Sequence, residues 1–400
     1  MFDLLPRGRG HLVVAALLVV VIGTQLALPL RTQAALSSQT AVPTREQLIW
    51  TAERYARNYV QKREDPTYGY TLEFGYPLYL YFLGEMYRDL HRVTGQPLYR
   101  ERFLRAARFV QARASGGLTW HQYVGYGLFL EQPDPLYNAL FSELLLDAWV
   151  DTQDDSFLDS ARGAVRALPV LYGPNRRLAT VPQDYAFITY AAIAAYVNRT
   201  GDGDAELVAL GERLYRHAAS LYDPATGRWF FKVDEKELNR FDTHAAYYEL
   251  VTAFTFMRQA DHVRAVYPRL YDEQRARLRP MMRVVTSHML TSGTFNYATF
   301  VPDYTESAGQ TIWALELYER AFGPEYRWLA DNAKKTLINR QLPDGSYQAA
   351  PNNKDVSLMY SDAVGWGIAG WAAGDYPKLD PITYMTLLPA VGKSYRPAGR

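Results

Sequence analysis

The sequence contains no cysteine among its 400 residues. This absence excludes disulfide bonds, thiolate ligands for a metal ion and lipid attachment through a cysteine thiol. It is compatible with an oxidising compartment, because a chain without thiols loses nothing there.

An excess of charge of one sign is also lacking. The chain has 43 basic and 42 acidic residues, a formal net charge of +1, and no basic block stands out along it. Binding to nucleic acid normally requires a basic patch or stripe, so a nucleic acid is not expected as a partner.

The longest apolar run lies near the N-terminus. Residues 12–30 carry no charge, Arg7 and Arg9 precede them, and small residues mark a possible cleavage site after Ala34. A basic head, an apolar run and such a site predict an export signal over residues 1–40. The run is also long enough to span a bilayer, so it is either a removed signal peptide or an uncleaved membrane anchor. Both alternatives place the rest of the protein outside the cytoplasmic membrane, as a secreted, periplasmic or cell-surface protein.

Residues 41–400 contain no stretch rich in proline, glycine and serine that would serve as a linker. Their number exceeds the ~100–200 residues of a usual domain. A single large domain is nevertheless the simplest interpretation, because nothing in the composition marks a boundary.

Two kinds of helix alternate along this domain. One kind is apolar nearly all round, which predicts a helix that is buried on all sides. The other is amphipathic, with apolar residues recurring at the helical period. The apolar helices are predicted at 77–91, 135–150, 184–198, 243–257, 304–319 and 359–373, and the amphipathic helices at 45–63, 97–113, 155–168, 204–220, 262–279 and 324–341.

The connections between these helices are unequal in length. Short turns lead from each apolar helix to the next amphipathic helix, whereas long connections lead back to the N-terminal ends of the apolar helices. Long connections in a compact domain are usually functional. The functional site is therefore predicted at the end of the molecule where these connections gather. They are 64–76, 114–134, 169–183, 221–242, 291–303 and 342–358.

Residues 45–373 resemble the six-hairpin (α/α)6 toroids in helix order, repeat and unequal connections. The resemblance implies an all-α fold with six inner and six outer helices, closed where helix 45–63 packs beside helix 359–373. These toroids include glycoside hydrolases, polysaccharide lyases and sugar epimerases. The first hypothesis is thus a glycoside hydrolase acting on an oligo- or polysaccharide. A polysaccharide lyase or uronate epimerase is one alternative, and a non-catalytic glycan-binding or scaffold protein of an envelope assembly pathway is another.

An acidic residue stands at or near the start of each predicted apolar helix. In a toroid these acids would converge on one mouth, and glycoside hydrolysis needs two carboxyl groups beside the bond that is cleaved. The alternative is that they only cap the helices, since aspartate is among the best N-caps. The six residues are Glu73, Asp134, Asp184, Asp242, Asp303 and Asp362.

The catalytic pair is predicted to be Asp242 and Asp303. Tyr304 and Glu306 are expected to crowd Asp303 and to raise its pKa, which suits a general acid. A nearby positive charge is expected to keep Asp242 ionised as base or nucleophile. A histidine near tyrosines would also suit a lyase. Asp184, Glu306 and His244 are predicted to support the pair.

The long connections are rich in aromatic side chains, whose faces can stack on the C–H face of a sugar ring. The alternative is that these rings only pack the connections. Asp242 and His244 could offer two metal ligands, but no third follows at a fitting spacing, so no metal ion is expected there. Calcium bound by the long connections is an alternative that stays open. No cofactor is expected. The predicted substrate-binding residues are Trp120, His121, Tyr123, Trp229, Tyr297, Tyr304, Tyr360 and Asp362.

Overall fold

The chain divides into two compact units, Met1–Ala41 and Val42–Arg400. The predicted export signal, residues 1–40, lies outside the described residues. In the part of the chain that is described, no helix is long and apolar enough to cross a bilayer. The computed structural model describes residues 41–63, 77–112, 121–124, 128–133, 135–173, 178–239, 243–297, 301–351, 353–356, 361–374 and 379.

The described residues are mainly helical. The first helix continues through a π-helical segment, Tyr55–Val60, and a short 3-10 turn, Gln61–Arg63. In chain order the helices are α1 (Arg45–Arg54), α2 (Pro77–Thr94), α3 (Pro97–Ala112), α4 (Pro135–Thr152), α5 (Asp155–Tyr172), α6 (Gln183–Thr200), α7 (Ala205–Ser220), α8 (Val233–Glu237), α9 (Thr243–Arg258), α10 (Ala260–Val266), α11 (Pro268–Ser287), α12 (Glu306–Phe322), α13 (Arg327–Arg340) and α14 (Ser361–Ala373).

Local sequence sets several helix ends. Thr44 and Gln47 form a reciprocal capping box at the start of α1. Asp154 and Asp204 accept hydrogen bonds from first-turn N–H groups of α5 and α7, which are outer helices. Gly201 ends α6 in the left-handed conformation, with φ of 70°, which glycine adopts without steric cost.

The helices form two concentric rings. The inner ring consists of α2, α4, α6, α9, α12 and α14, and each of these helices contacts the next, with α14 returning to α2. Each of the outer helices α3, α5, α7, α11 and α13 packs against the inner helix that precedes it in sequence, and α1 packs against α14. In α4, every residue from Pro135 to Ala148 is buried, as expected of an inner helix. The chain is therefore an (α/α)6 toroid, and this prediction is confirmed.

The first and last helices close the ring. The Arg45 guanidinium donates to the carbonyl oxygen of Ala372 from Nε at 3.1 Å and from Nη2 at 2.5 Å. Gln341, just after α13, donates from Nε2 to the Thr51 carbonyl at 2.7 Å. The predicted pairing of helix 45–63 with helix 359–373 is thus confirmed.

Helices α12 and α14 approach each other through glycine. A Cβ atom on Gly367 would overlap the backbone of Gly309, and one on Gly370 would overlap the indole of Trp313. The inner ring can be this tight at α14 because no side chain separates the two backbones.

The amphipathic helix predicted at 262–279 is divided in the structure. Helix α10 ends before Tyr267, whose backbone is not helical, and α11 begins at Pro268. Proline lacks an N–H and disfavours the helical conformation in the residue before it, so it starts a new helix here. The second segment then extends beyond the predicted end, to Ser287.

The long connections contain short β-hairpins that the sequence patterns did not predict. Each is a two-stranded antiparallel sheet. The pairs are β1 (His121–Val124) with β2 (Leu128–Pro133), β3 (Tyr222–Asp223) with β4 (Arg228–Trp229), β5 (Phe295–Tyr297) with β6 (Val301–Tyr304), and β7 (Gln348–Ala350) with β8 (Asn353–Val356).

Candidate active site

A cavity of about 230 Å³ lies at the centre of the inner ring. All six inner helices contribute residues to its lining, so the cavity depends on the closure of the ring. Asp184 and Glu306, at the N-terminal ends of α6 and α12, line it together with Arg258, at the C-terminal end of α9. We call this space the central cavity.

The walls of the central cavity are largely aromatic. Trp366 of α14 packs against Phe82 and Phe254, with ring centroids 5.1 Å and 5.4 Å apart. Tyr247 and Tyr248 of α9 contribute two more rings to the lining. Such walls suit a ligand that has both an apolar face and polar edges.

Asp184 lies in the first turn of α6 with 3% of its surface exposed. The N-cap of this helix is Pro182, α6 has no side-chain cap hydrogen bond, and Oδ1 of Asp184 has no partner within the described residues. Burial raises the pKa of Asp184 to about 7, although nearby backbone N–H groups and Lys232 act in the opposite direction. Asp184 is therefore partly protonated near neutral pH and is open to a ligand.

Glu306 is the first residue of α12 and is 7% exposed. Its Oε1 accepts a hydrogen bond from the Tyr247 hydroxyl at 3.3 Å, and its Oε2 has no partner among the residues described. Burial raises the pKa of Glu306 to about 8, against the opposing effect of the Tyr304 and Tyr247 hydroxyls. At neutral pH this carboxyl group can therefore donate a proton.

Asp303, the predicted general acid, lies in β6 and not on an inner helix, because α12 begins only at Glu306. Its Oδ2 lies 2.6 Å from Nη2 of Arg340, and its Oδ1 accepts hydrogen bonds from Ser292 and Thr294. Burial alone would raise the pKa of Asp303, but the Arg340 guanidinium and the two hydroxyls outweigh burial and lower it.

The expectation of a raised pKa at Asp303 is thus wrong. Arg340 also donates from Nη1 to the Asp303 carbonyl at 2.7 Å, and Asp303 has a left-handed backbone with φ of 56°. These contacts fix the β5–β6 hairpin to α13, and Asp303 is not part of the described lining of the central cavity. The contacts favour a structural role for Asp303, and its catalytic role stays a prediction.

Trp229 is wholly buried and is not part of the described lining of the central cavity. Its Nε1 donates to the Ala218 carbonyl at 2.6 Å, and its ring packs against Phe187 and Tyr222. These contacts favour a packing role, and its role in substrate binding stays a prediction. Tyr304 is also buried, and its hydroxyl acts on Glu306.

The remaining predicted site residues, or their side chains, lie outside the described part of the chain. Their predicted roles stay predictions. Asp242, Trp120 and Tyr360 lie outside the described residues, as do the side chains of His121, Tyr123, His244, Tyr297 and Asp362.

An ion pair forms the floor of the central cavity. Arg258 Nη2 lies 2.6 Å from Glu143 Oε1, and Tyr81 bridges the two by accepting from Arg258 at 2.9 Å and donating to Glu143 Oε2 at 3.0 Å. Gln259 donates to Glu143 Oε1 at 2.6 Å. Both charges of the floor are therefore compensated within the protein.

A second cavity of about 270 Å³ shares Glu143 and Arg258 with the central cavity. Its lining is mostly charged. Asp147 accepts from Arg88 and Arg199, at 2.5 Å each. Burial opposes ionisation of Asp147, but the two guanidinium groups lower its pKa to about 2. The lining therefore consists mainly of compensated ion pairs that join α2, α4 and α6.

Several residues of the site were missed in the sequence. Gln310 lies four residues after Glu306 on the same face of α12 and lines the central cavity. Glu143 and Arg258 form the floor. The available signal was a polar residue inside an otherwise apolar helix, since such residues are seldom buried without a partner or a function.

The described residues include no group of three histidine, aspartate or glutamate side chains that could hold a metal ion. The chemistry that the central cavity offers comes from carboxyl, hydroxyl and amide groups. Two carboxyl groups with pKa values near neutrality can exchange protons with a bound molecule.

No protein-family model matches the chain, and no curated protein matches its sequence. Among solved structures, a glycosyl hydrolase family 88 protein from Bacteroides vulgatus is similar, with a TM-score of 0.61, 14% identity and coverage of 83% of this chain and 99% of that one. A polysaccharide lyase is similar with a TM-score of 0.61 and 14% identity, and the match covers 83% of this chain and 98% of that one. Cellobiose 2-epimerase from Spirochaeta thermophila is similar with a TM-score of 0.61 and 12% identity, and the match covers 84% of this chain and 98% of that one. These likenesses show the (α/α)6 toroid fold that the helix contacts define.

Proposed function

We propose that this protein is a glycoside hydrolase that acts on an oligo- or polysaccharide at the central cavity. The observation that carries the proposal is the pair of buried carboxyl groups, Asp184 and Glu306, on one aromatic cavity, with pKa values of about 7 and 8. The similar structures are named as a hydrolase, a lyase and an epimerase of carbohydrates, which supports a carbohydrate as the substrate class.

Glu306 is the general acid, because burial raises its pKa to about 8 and keeps it protonated at neutral pH. Its proton passes to the glycosidic oxygen as the bond from that oxygen to the anomeric carbon breaks. The Asp184 carboxylate can remove a proton from the water that attacks the anomeric carbon. It can instead attack that carbon itself, and water, deprotonated by Glu306, then breaks the resulting glycosyl–carboxylate bond and frees Asp184. The products are a shortened glycan and a sugar with a new reducing end.

The rest of the lining orients the substrate and the acid. The Tyr247 hydroxyl holds Oε1 of Glu306, which leaves Oε2 to face the ligand. Trp366 and Phe82 present an aromatic wall on which the C–H face of a sugar ring can stack. The compensated floor at Glu143 and Arg258 closes the far end of the cavity.

The test is incubation with a panel of glycans, with separate detection of new reducing ends and of unsaturated products. We expect new reducing ends only, and a loss of at least ~100-fold in kcat/KM for Glu306→Gln and Asp184→Asn, the scale of general acid–base catalysis. The matched control is Asp303→Asn, a carboxyl change outside the described lining of the cavity, which should stay active. Unsaturated or isomerised products would point to a lyase or an epimerase, and the absence of any product would contradict the proposal.

We also propose that the protein works outside the cytoplasmic membrane, because residues 1–40 have the composition of an export signal. N-terminal sequencing of the protein from its native host tests this. A start near Ala35 indicates cleavage, and an intact Met1 in the membrane fraction indicates an anchor. An intact Met1 in the cytoplasmic fraction would contradict export.

A further inference from the structure

Gln310 is a buried amide that the proposed chemistry does not use. It lies one helical turn beyond Glu306 on α12, lines the central cavity and is 4% exposed. Its Oε1 has no hydrogen-bond partner among the described residues. A buried carbonyl oxygen without a donor costs free energy, which a ligand hydroxyl placed in the cavity would recover.

Three side-chain oxygens of the central cavity are buried without a hydrogen-bond partner among the described residues. They are Oδ1 of Asp184, Oε2 of Glu306 and Oε1 of Gln310. A ligand that satisfies all three must carry several O–H groups on a small frame, because the cavity measures about 230 Å³. A single sugar ring has this chemistry, with hydroxyl groups at its edge and an apolar face.

The charges in the cavity favour a ring without a carboxylate. Arg258 is the cation of the described lining, and its guanidinium is already bound to Glu143 and Tyr81 and lies 5.5 Å above the Trp366 ring. A ligand carboxylate would enter this space beside two protein carboxyl groups, and the described lining holds no uncommitted cation to meet it. Burying an unpaired anion is strongly unfavourable. Lys232, whose charge acts on Asp184, lies outside the lining.

We infer that the ring bound in the central cavity is an uncharged sugar, and that Gln310 selects it by accepting a hydrogen bond from one of its hydroxyl groups. This inference rests on the proposed function. It concerns only the ring inside the cavity and sets no charge for the sugars that lie further out. Gln310 is thus a specificity-determining residue.

The first experiment measures binding, which does not require turnover. Methyl glycosides of glucose, galactose and mannose are titrated into the full chain by calorimetry near pH 7, each beside the matching uronate. We expect at least one uncharged sugar to bind tenfold or more tightly than its uronate. Equal or tighter binding of the uronate in every pair, or no binding by any sugar, overturns the inference.

The second experiment tests Gln310 itself. Gln310→Leu removes the acceptor at similar volume and should weaken binding of the preferred sugar by tenfold or more, with an unchanged melting temperature. Gln310→Asn, which withdraws the amide by one methylene, serves if the leucine variant does not fold, and the same loss is expected. Gln111→Leu, on outer helix α3, is the matched control and should bind like the wild type. Unchanged binding in a folded Gln310 variant contradicts the assignment.

Failure of the inference and failure of the proposed function give different results. Preferential hydrolysis of glycans that end in a uronate, compared with matched neutral glycans, would support the proposed hydrolase function. The same result would contradict the inference that the bound ring is uncharged. Gln310-dependent binding of a neutral sugar without cleavage of any glycan would support the inference and contradict the hydrolase.

Discussion

Asp184 and Glu306 lie on inner helices that α9 separates, yet both carboxyl groups line the same cavity. Tyr247 of α9 stands between these helices in the ring and donates to Glu306 at 3.3 Å. Burial raises the pKa of Asp184 to about 7 and that of Glu306 to about 8. Both carboxyl groups can therefore exchange a proton near neutral pH, and hydrolysis requires that one hold its proton while the other has released it.

The pH dependence of kcat/KM should therefore be bell-shaped, with its maximum between pH 7 and 8. Below this range Asp184 becomes protonated and no longer acts as base or nucleophile. Above it, Glu306 loses the proton that the leaving group needs. Initial rates on one cleaved glycan from about pH 5 to pH 10 measure the curve, and a flat profile would rule out this pair.

The alkaline limb can be assigned with an activated substrate. A 4-nitrophenyl glycoside needs little help from a general acid, because its leaving group is already a weak base. Glu306→Gln should therefore retain activity on this substrate and lose the decline above pH 8. If the decline persists in the variant, another group produces it.

Glu306→Gln should stabilise the protein at high pH while it lowers kcat/KM on natural glycans by at least ~100-fold. The pKa of Glu306 is raised from an ordinary 4.5 to about 8, so the folded state retains a proton that the unfolded state releases. The associated stability is fully present below about pH 4.5 and is lost as the pH rises through about 8, a loss of up to a few kcal/mol that glutamine does not suffer. The melting temperatures of the wild type and of Glu306→Gln should differ near pH 9 and agree near pH 5. An equal difference at both pH values would contradict this prediction.

Asp303→Asn should lower the free energy of unfolding and leave kcat unchanged. Arg340 is buried beside Asp303 and would lose its carboxylate partner, at a cost of about 1–3 kcal/mol near pH 7. Because the pKa of Asp303 is lowered, this stabilisation is present above its ordinary value of 3.8 and disappears as the pH falls through the folded-state pKa. Denaturant unfolding and kcat are the measurements. A variant with wild-type stability and a hundredfold lower kcat would make Asp303 catalytic after all.

Gly367→Ala should destabilise the closure of the inner ring. The added methyl group would overlap the Gly309 backbone and force α12 and α14 apart, at a cost of about 1–3 kcal/mol or more. Gly203→Ala is the control, because the nearest atom to its Cβ, on Val197, lies at 3.6 Å. Urea midpoints of the two variants decide the matter, and indistinguishable midpoints would contradict the tight contact.

The architecture could be predicted because its signal is local and repeated. A helix without a polar face is recognisable wherever it occurs, and the predicted apolar helices begin within two residues of the observed ones. Pro77 and Pro135 mark two of these starts, as proline commonly does at the first helical position. The division at Pro268 was missed because the amphipathic pattern continues across it.

The site was less predictable because its properties arise from distant residues. Asp303 and Glu306 are three residues apart, but only the helix start at Glu306 decides which one lines the cavity. The partner that lowers the pKa of Asp303 is Arg340, which lies 37 residues later in the sequence, at the end of α13. Likewise, Asp154 is the N-cap of an outer helix, whereas Asp184 lies within the first turn of α6 after the N-cap Pro182. Their different positions relative to the helix start could not be read from the residue type.

The contact between Arg45 and Ala372 joins residues 327 positions apart in sequence. Until α14 has formed, the buried face of α1, with Leu48 and Ala52, lacks the inner helix against which it mainly packs. Ring closure therefore joins the two ends of the domain, and contacts of such long range slow the search for the native state. A chain interrupted before residue 361 would keep this apolar flank uncovered and would be prone to associate with other incomplete chains.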